Sequence, residues 1–133
     1  MQVKDAMSTT VLSIGPAHTL RKAATLMSAR RVGAAVVADP DAQGHGIITE
    51  RDIMDSIGSG KDPDVERVAS HLTKDLVFAT PSWSIQEAAD AMVRGGFRHL
   101  IVLDAGEVVG VLSVRDVVRV WTKAASPVSA KAT

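Results

Sequence analysis

The chain repeats itself once. Adding 65 to a residue number in the first half carries Val3 onto Val68, Pro16 onto Pro81, Ala23 and Ala24 onto Ala88 and Ala89, Met27 onto Met92 and Asp39 onto Asp104. Past a second hairpin one residue shorter, the offset becomes 64, and Gly46, Arg51 and Asp52 meet Gly110, Arg115 and Asp116. Two copies, not three or more, argue for a paired module instead of a solenoid. A single copy of about 60 residues would bury only about 60% of its unfolded surface. The copies are therefore expected to pack sheet to sheet, with a cleft at the join where a small molecule would bind.

Each copy reads as β-α-β-β-α, an α/β (α+β) pattern. Val3 and Met7 share one face of a short opening helix, and Val11-Leu12-Ser13-Ile14 is a short strand closed by Gly15-Pro16. Thr19 is a plausible N-cap, with Leu20, Ala23, Ala24 and Met27 on one helical face. That helix gives way at Val32-Gly33, before the apolar strand Ala34 to Ala38. Turn residues from Pro40 to Gly44 make a hairpin with Gly46-Ile47-Ile48, leaving His45 as a solvated loop residue. In copy two, Asp62-Pro63 predicts a helix start carrying Val65, Val68 and Leu72, and Ser84 with Glu87 predicts a capping box. His18 and Trp83 precede the two helix caps, and Trp83 reads as a hydrophobic staple. The boundaries expected are 1–60 and 61–124, with an aperiodic, frayed tail over 125–133.

The closing stretch of each copy carries the chemistry. Gly46-Ile47-Ile48-Thr49-Glu50-Arg51-Asp52 and Gly110-Val111-Leu112-Ser113-Val114-Arg115-Asp116 both place a hydroxyl after a strand and an acid three residues on. That spacing is a capping box at a helix start. Free N–H groups and partial positive charge at such an end suit a phosphate. Arg51 and Arg115, in each first turn, are either surface charges or contacts to such an anion.

Composition excludes several classes. Fifteen basic and fifteen acidic residues cancel, which weighs against nucleic acid or a membrane surface. There is no Cys, hence no disulfide or thiolate metal site. His71 has no neighbouring ligand in sequence for a metal site. No apolar run approaches the roughly 18 residues of a membrane span, and Met1 to Asp5 is not a signal peptide, so a cytoplasmic protein is expected. Neither a Ser-His-Asp order, a Walker A pattern nor a Rossmann glycine pattern occurs.

With these residues in order twice, the chain resembles the tandem cystathionine-β-synthase (CBS) domain pair, or Bateman module, over about residues 1–122. The matching parts are Val3-Lys4-Asp5-Ala6-Met7, the proline before each long helix, the strand ending in Asp39 or Asp104, and the closing Gly-h-h-Thr/Ser-x-x-Asp. The resemblance implies a stand-alone, non-enzymatic sensor of an adenine nucleotide (AMP, ADP, ATP or a related adenosyl ligand). It implies no other cofactor, no metal and no catalytic residues.

It gives Asp52 and Asp116 the ribose hydroxyls, and Thr49 and Ser113 the phosphate. Base contacts come from the first strand of the opposite copy. The main site would then comprise Thr10, Val11, Leu12, Val32, Gly33, Arg98, His99, Leu112, Ser113, Arg115 and Asp116. A second site would comprise Leu76, Val77, Phe78, Phe97, Ile48, Thr49, Arg51 and Asp52. Arg98 and His99 hold the family's phosphate-contacting place in copy two, where copy one has Gly33 and Ala34. A charged nucleotide is thus expected to bind at least about tenfold more tightly at the Ser113/Asp116 end. Val117, Val118, Val120 and Trp121 are too many apolar residues for one buried stripe and predict homodimerisation, with an unidentified protein reading the state. The rival readings are a dimeric adaptor with no ligand, a nucleic-acid binder, and an enzyme acting on bound nucleotide.

Overall fold

Thr19 and Ser84 start the two long helices: Thr19 Oγ1 accepts from Lys22 N–H at 3.2 Å and Ser84 Oγ from Glu87 N–H at 3.0 Å. In this computed structural model residues 1–38, 45–73 and 76–132 are described, with side chains as far as Lys123. The elements are α1 (Val3–Ala6), β1 (Ser13–Ile14), α2 (Leu20–Arg30), β2 (Ala34–Ala38), β3 (His45–Thr49), α3 (Glu50–Gly58), β4 (Phe78–Ala79), α4 (Ile85–Gly95), β5 (His99–Asp104), β6 (Glu107–Ser113) and α5 (Val114–Ala132). Asp39 and the turn from Pro40 to Gly44 lie outside the described residues.

There are two three-stranded mixed sheets, ordered β1-β2-β3 and β4-β5-β6. In each the first strand runs parallel to the second and the second antiparallel to the third. This is the α+β architecture that the repeat predicted.

The compact units are not the sequence copies. A contiguous unit spans Val11–Leu76, and a split unit joins Met1–Thr10 to Val77–Thr133. Each unit thus combines the body of one copy with the opening segment of the other. In the contiguous unit Val68 packs with Leu20, Ala23, Met27 and Ile48. In the split unit Val3 and Ala6 pack with Ala88, Met92, Leu100 and Leu112. Backbone bonds seal both joins: Ser8 and Val111 exchange N–H···O bonds of 3.0 Å each, and Ile47 and Thr73 exchange bonds of 3.1 and 2.9 Å.

The glycine that opens each closing motif makes room for this crossing. A Cβ on Gly110 would lie 2.8 Å from the Ser8 carbonyl oxygen and 2.7 Å from Met7 Sδ, and one on Gly46 would lie 2.6 Å from Leu72 Cδ1.

Several sequence expectations need correction. β1 and β4 are two residues each, so Val11, Leu12 and Val77 stand outside the strands, although the Leu12 carbonyl still accepts from Val36 N–H at 2.9 Å. No helix starts at Asp62-Pro63. Asp62 Oδ1 instead accepts from Asp64 N–H at 2.9 Å, and Arg67 is extended before a short 3-10 turn at Val68–Ser70. The Pro63 and Glu66 carbonyls are used by the α2 N-terminus, accepting from Arg21 and Leu20 N–H at 3.0 and 2.9 Å. Ser84 and Glu87 share a side-chain bond of 3.2 Å instead of a reciprocal box. His45 is the first residue of β3, not a solvated loop residue, and its Nδ1 is buried without a hydrogen-bond partner among the described residues. α5 is helical to Ala132, past the expected limit at Ala124, because periodicity reports packing whereas an alanine-rich segment favours helix without it.

The β5–β6 hairpin turns on Ala105-Gly106, both at positive φ (52° and 82°). Such a pair belongs to the turn that matches strand twist, and alanine is strained at its first position. Ala105→Asn or Ala105→Gly should therefore stabilise the fold by about 0.5–1 kcal/mol, read as a higher urea midpoint at unchanged slope.

Candidate functional site

The two closing motifs fold as capping boxes. At Thr49 the N–H donates to Asp52 Oδ2 at 2.9 Å, the hydroxyl donates to the same oxygen at 2.9 Å, and Asp52 N–H returns a bond of 3.2 Å to Thr49 Oγ1. At Ser113 the N–H donates to Asp116 Oδ2 at 2.8 Å and Asp116 N–H donates to Ser113 Oγ at 3.0 Å. Capping uses one carboxylate oxygen and leaves the other for a second partner. Both motifs sit where a strand runs straight into a helix, so N–H groups and dipole face outward with the acid beside them.

The residue before each middle strand is tied to the same helix start. Glu50 N–H donates to the Gly33 carbonyl and Val114 N–H to the Arg98 carbonyl, both at 2.9 Å. Ala34 lies opposite Thr49 in the β2–β3 register, and His99 lies opposite Ser113 in β5–β6. Arg98, His99, Ser113 and Asp116 are therefore one cluster in the split unit, with the Arg98 side chain exposed. The corresponding cluster in the contiguous unit, Gly33, Ala34, Thr49 and Asp52, brings no positive charge.

The remaining candidates divide between the units. Thr10 shares the split unit with Ser113 and Asp116 and is exposed, two residues past the Ser8 bridge. Val11, Leu12, Val32, Ile48 and Leu76 belong to the contiguous unit. Leu12 and Ile48 are core residues there and Val32 packs against that core. Val77, Phe78, Phe97 and Leu112 belong to the split unit, with Leu112 fully buried and Phe97 packed on its core. Arg51 and Arg115 are exposed on the first turns of α3 and α5. Trp83 packs against the split unit's core, as a staple would, and its carbonyl accepts from Val3 N–H at 2.8 Å.

Beside Asp52 the surface of the contiguous unit holds an open cavity of about 240 Å³, lined by Asp52, Asp55, Ser56, Ser59, Lys61 and His71. His71 Nε2 lies 2.8 Å from Glu66 Oε1, and Ser56 Oγ is buried without a hydrogen-bond partner. Elsewhere in that unit Arg21 and Asp64 form an ion pair, which raises the guanidinium's pKa and holds the carboxylate below its usual range through a direct hydrogen bond. Both groups are solvent-exposed, so the pair adds little to stability.

Arg119 is a residue that reading by motif missed. Its Nη2 lies 3.1 Å from Asp116 Oδ1 and donates to the Ala6 carbonyl at 3.1 Å. Comparing the copies three residues past each closing acid, Asp55 against Arg119, would have exposed the difference. Among the described residues no group of three His, Cys, Asp or Glu side chains is placed to hold a metal ion, and no helix is long and apolar enough to cross a membrane.

Comparison with known proteins identifies the family and the fold. The family model described as "CBS domain" matches residues 3–59 and 65–123. An uncharacterized 17.7 kDa protein of Acidianus ambivalens is 36% identical over 119 residues, covering 89% of this chain and 71% of that one. Of two longer CBS-domain proteins of Arabidopsis thaliana the chain spans only 25% and 20%. Among solved structures, the CBS-domain protein ATU1752 of Agrobacterium tumefaciens superposes with a TM-score of 0.83 at 30% identity, over 91% of this chain and 99% of its own. The CBS domain pair of protein MJ0100, in complex with 5′-methylthioadenosine and S-adenosyl-L-methionine, has the same fold (TM-score 0.81, 20% identity, 92% and 97% covered).

Proposed function

Because the chain belongs to the CBS-domain family and carries two CBS domains in tandem, a pairing found in regulatory modules, we propose that it is a non-enzymatic sensor of an adenine nucleotide or related adenosyl ligand. The observation that carries this reading is the doubled helix start with a hydroxyl cap and an acid three residues on, joined in the split unit by Arg98. Asp52 and Asp116 would accept from ribose hydroxyls, while Thr49, Ser113 and the helix N–H groups face the phosphate. The adenosyl ligands held by MJ0100 belong to the same chemical class.

The state of the sensor would be passed on through a homodimer and a partner protein. Val118 and Trp121 stand exposed on α5 while Val117 and Val120 turn to the core, so the helix is apolar on two sides. Met54 and Ile57, their equivalents on α3, are exposed as well.

A thermal-shift panel of AMP, ADP, ATP, S-adenosylmethionine and NAD tests the ligand. Binding to the native state alone adds about 2.7 kcal/mol at 100 times the dissociation constant. For a chain of this size that corresponds to a rise on the order of 10 °C. A panel with no shift at millimolar concentration would favour the ligand-free dimeric adaptor.

A further inference from the structure

Asp52 and Asp116 are equivalent by repeat, yet among the described residues only Asp116 is gripped by an arginine. Both oxygens of Asp116 have partners: Oδ2 accepts from Ser113 N–H and Oδ1 lies 3.1 Å from Nη2 of Arg119. The same nitrogen donates to the carbonyl of Ala6, the last residue of α1. Asp116 is consequently only 8% exposed. In the contiguous unit the place of Arg119 is taken by Asp55, which is exposed and of the wrong sign to hold Asp52. The bonds to Asp52 Oδ2 both come from Thr49, and Asp52 lines an open cavity.

We propose that Arg119 is a specificity-determining residue. It occupies the carboxylate oxygen of Asp116 that a ribose diol would take, so an uncharged nucleoside, with no phosphate for Arg98 to draw in, enters the Asp52 motif first. The Asp116 motif fills only when Arg119 lets go, which also releases its hold on the end of α1. This rests on the adenine-nucleotide reading and deepens it. Arg98 and Arg119 then act in opposite senses on one site, Arg98 drawing in a phosphate and Arg119 excluding the sugar. Adenosine, which has no phosphate, isolates the second effect.

Replacing a charge-assisted, partly solvent-exposed contact by neutral hydroxyl donors should weaken binding by about tenfold. The test is calorimetry with adenosine and AMP on the full chain, Arg119→Gln and Asp55→Arg, with Asp52→Ala and Asp116→Ala marking which motif is filled. Arg119→Gln should tighten adenosine at the Asp116 motif by about tenfold. Asp55→Arg transplants the grip and should weaken adenosine at the Asp52 motif by a similar factor. Hydrogen exchange should also show faster exchange at the Met7 amide, which bonds to the Val3 carbonyl, in Arg119→Gln. Adenosine unchanged or weakened by Arg119→Gln, while the wild type still binds AMP, would overturn the gate and leave the sensor standing. Neither adenosine nor AMP bound by any of the three proteins would overturn both.

Discussion

Val3→Asp should unfold the split unit while the contiguous unit keeps its structure. Val3 is 0% exposed, lies in the core with Ala88, Met92, Leu100 and Leu112, and its N–H donates to the Trp83 carbonyl at 2.8 Å. An aspartate there loses the burial of the valine and must either carry a charge into that core or take up a proton. Together these cost about 3–5 kcal/mol, a large part of the 5–15 kcal/mol that holds an ordinary domain. Native-state hydrogen exchange reads the two units separately. The Val111 amide, bonded to the Ser8 carbonyl, should lose protection, whereas the Ile47 amide, bonded to the Thr73 carbonyl, should keep it. The neighbouring exposed change Lys4→Asp should leave both within about 0.5 kcal/mol. Equal loss at Val111 and Ile47 would show that the units melt together, and no loss at Val111 would show that α1 is dispensable.

The second large effect is expected on assembly. Val118→Asp with Trp121→Asp should convert the proposed homodimer into a monomer with an unchanged far-UV spectrum. The side chains are 49% and 72% exposed in the protomer, so neither contributes a buried core contact whose loss would unfold it. Exposed tryptophan on a helix is the kind of residue that dominates an interface, with truncation costing about 2 kcal/mol or more. Two carboxylates placed in the apolar centre add their desolvation. The dissociation constant of the dimer should therefore rise by at least about a thousandfold, which sedimentation velocity at micromolar concentration resolves. Identical sedimentation of variant and wild type would remove α5 from the interface.

The parts of this molecule legible in the sequence are those set by local chemistry. Thr19, Ser84, Thr49 and Ser113 are legible as caps because a cap needs only the few residues beside it, and each accepts the expected backbone N–H. The strands β2 and β5 were legible as apolar runs, and Leu20, Ala23 and Met27 as one helical face, because burial writes its period into the chain. Less visible was anything that one segment does for a distant one. The helix expected at Asp62-Pro63 gives way to a turn because its carbonyls are taken by Leu20 and Arg21 N–H, more than forty residues earlier. His45 looked solvated between two glycines, yet the pairing with Ala38 makes it a strand residue. Arg119 reads as a surface charge until Ala6, 113 residues away, is known to lie beside it.

The exchange of opening segments also sets the order in which the chain can finish folding as it is made. Residues 11–76 hold everything the contiguous unit uses, so that unit is complete once Leu76 has cleared the ribosome. Residues 1–10 are made ahead of that unit and are fully placed only after it, since Ser8 pairs with Val111. At about 5–20 residues per second, that interval of roughly a hundred residues lasts about 5–20 s. Until the segment with Trp83, Ala88 and Met92 has been made, the apolar side chains of Val3, Ala6 and Met7 have no native partner. A segment made ahead of the contiguous unit is thus placed after it, and during that wait it is open to a chaperone or a protease.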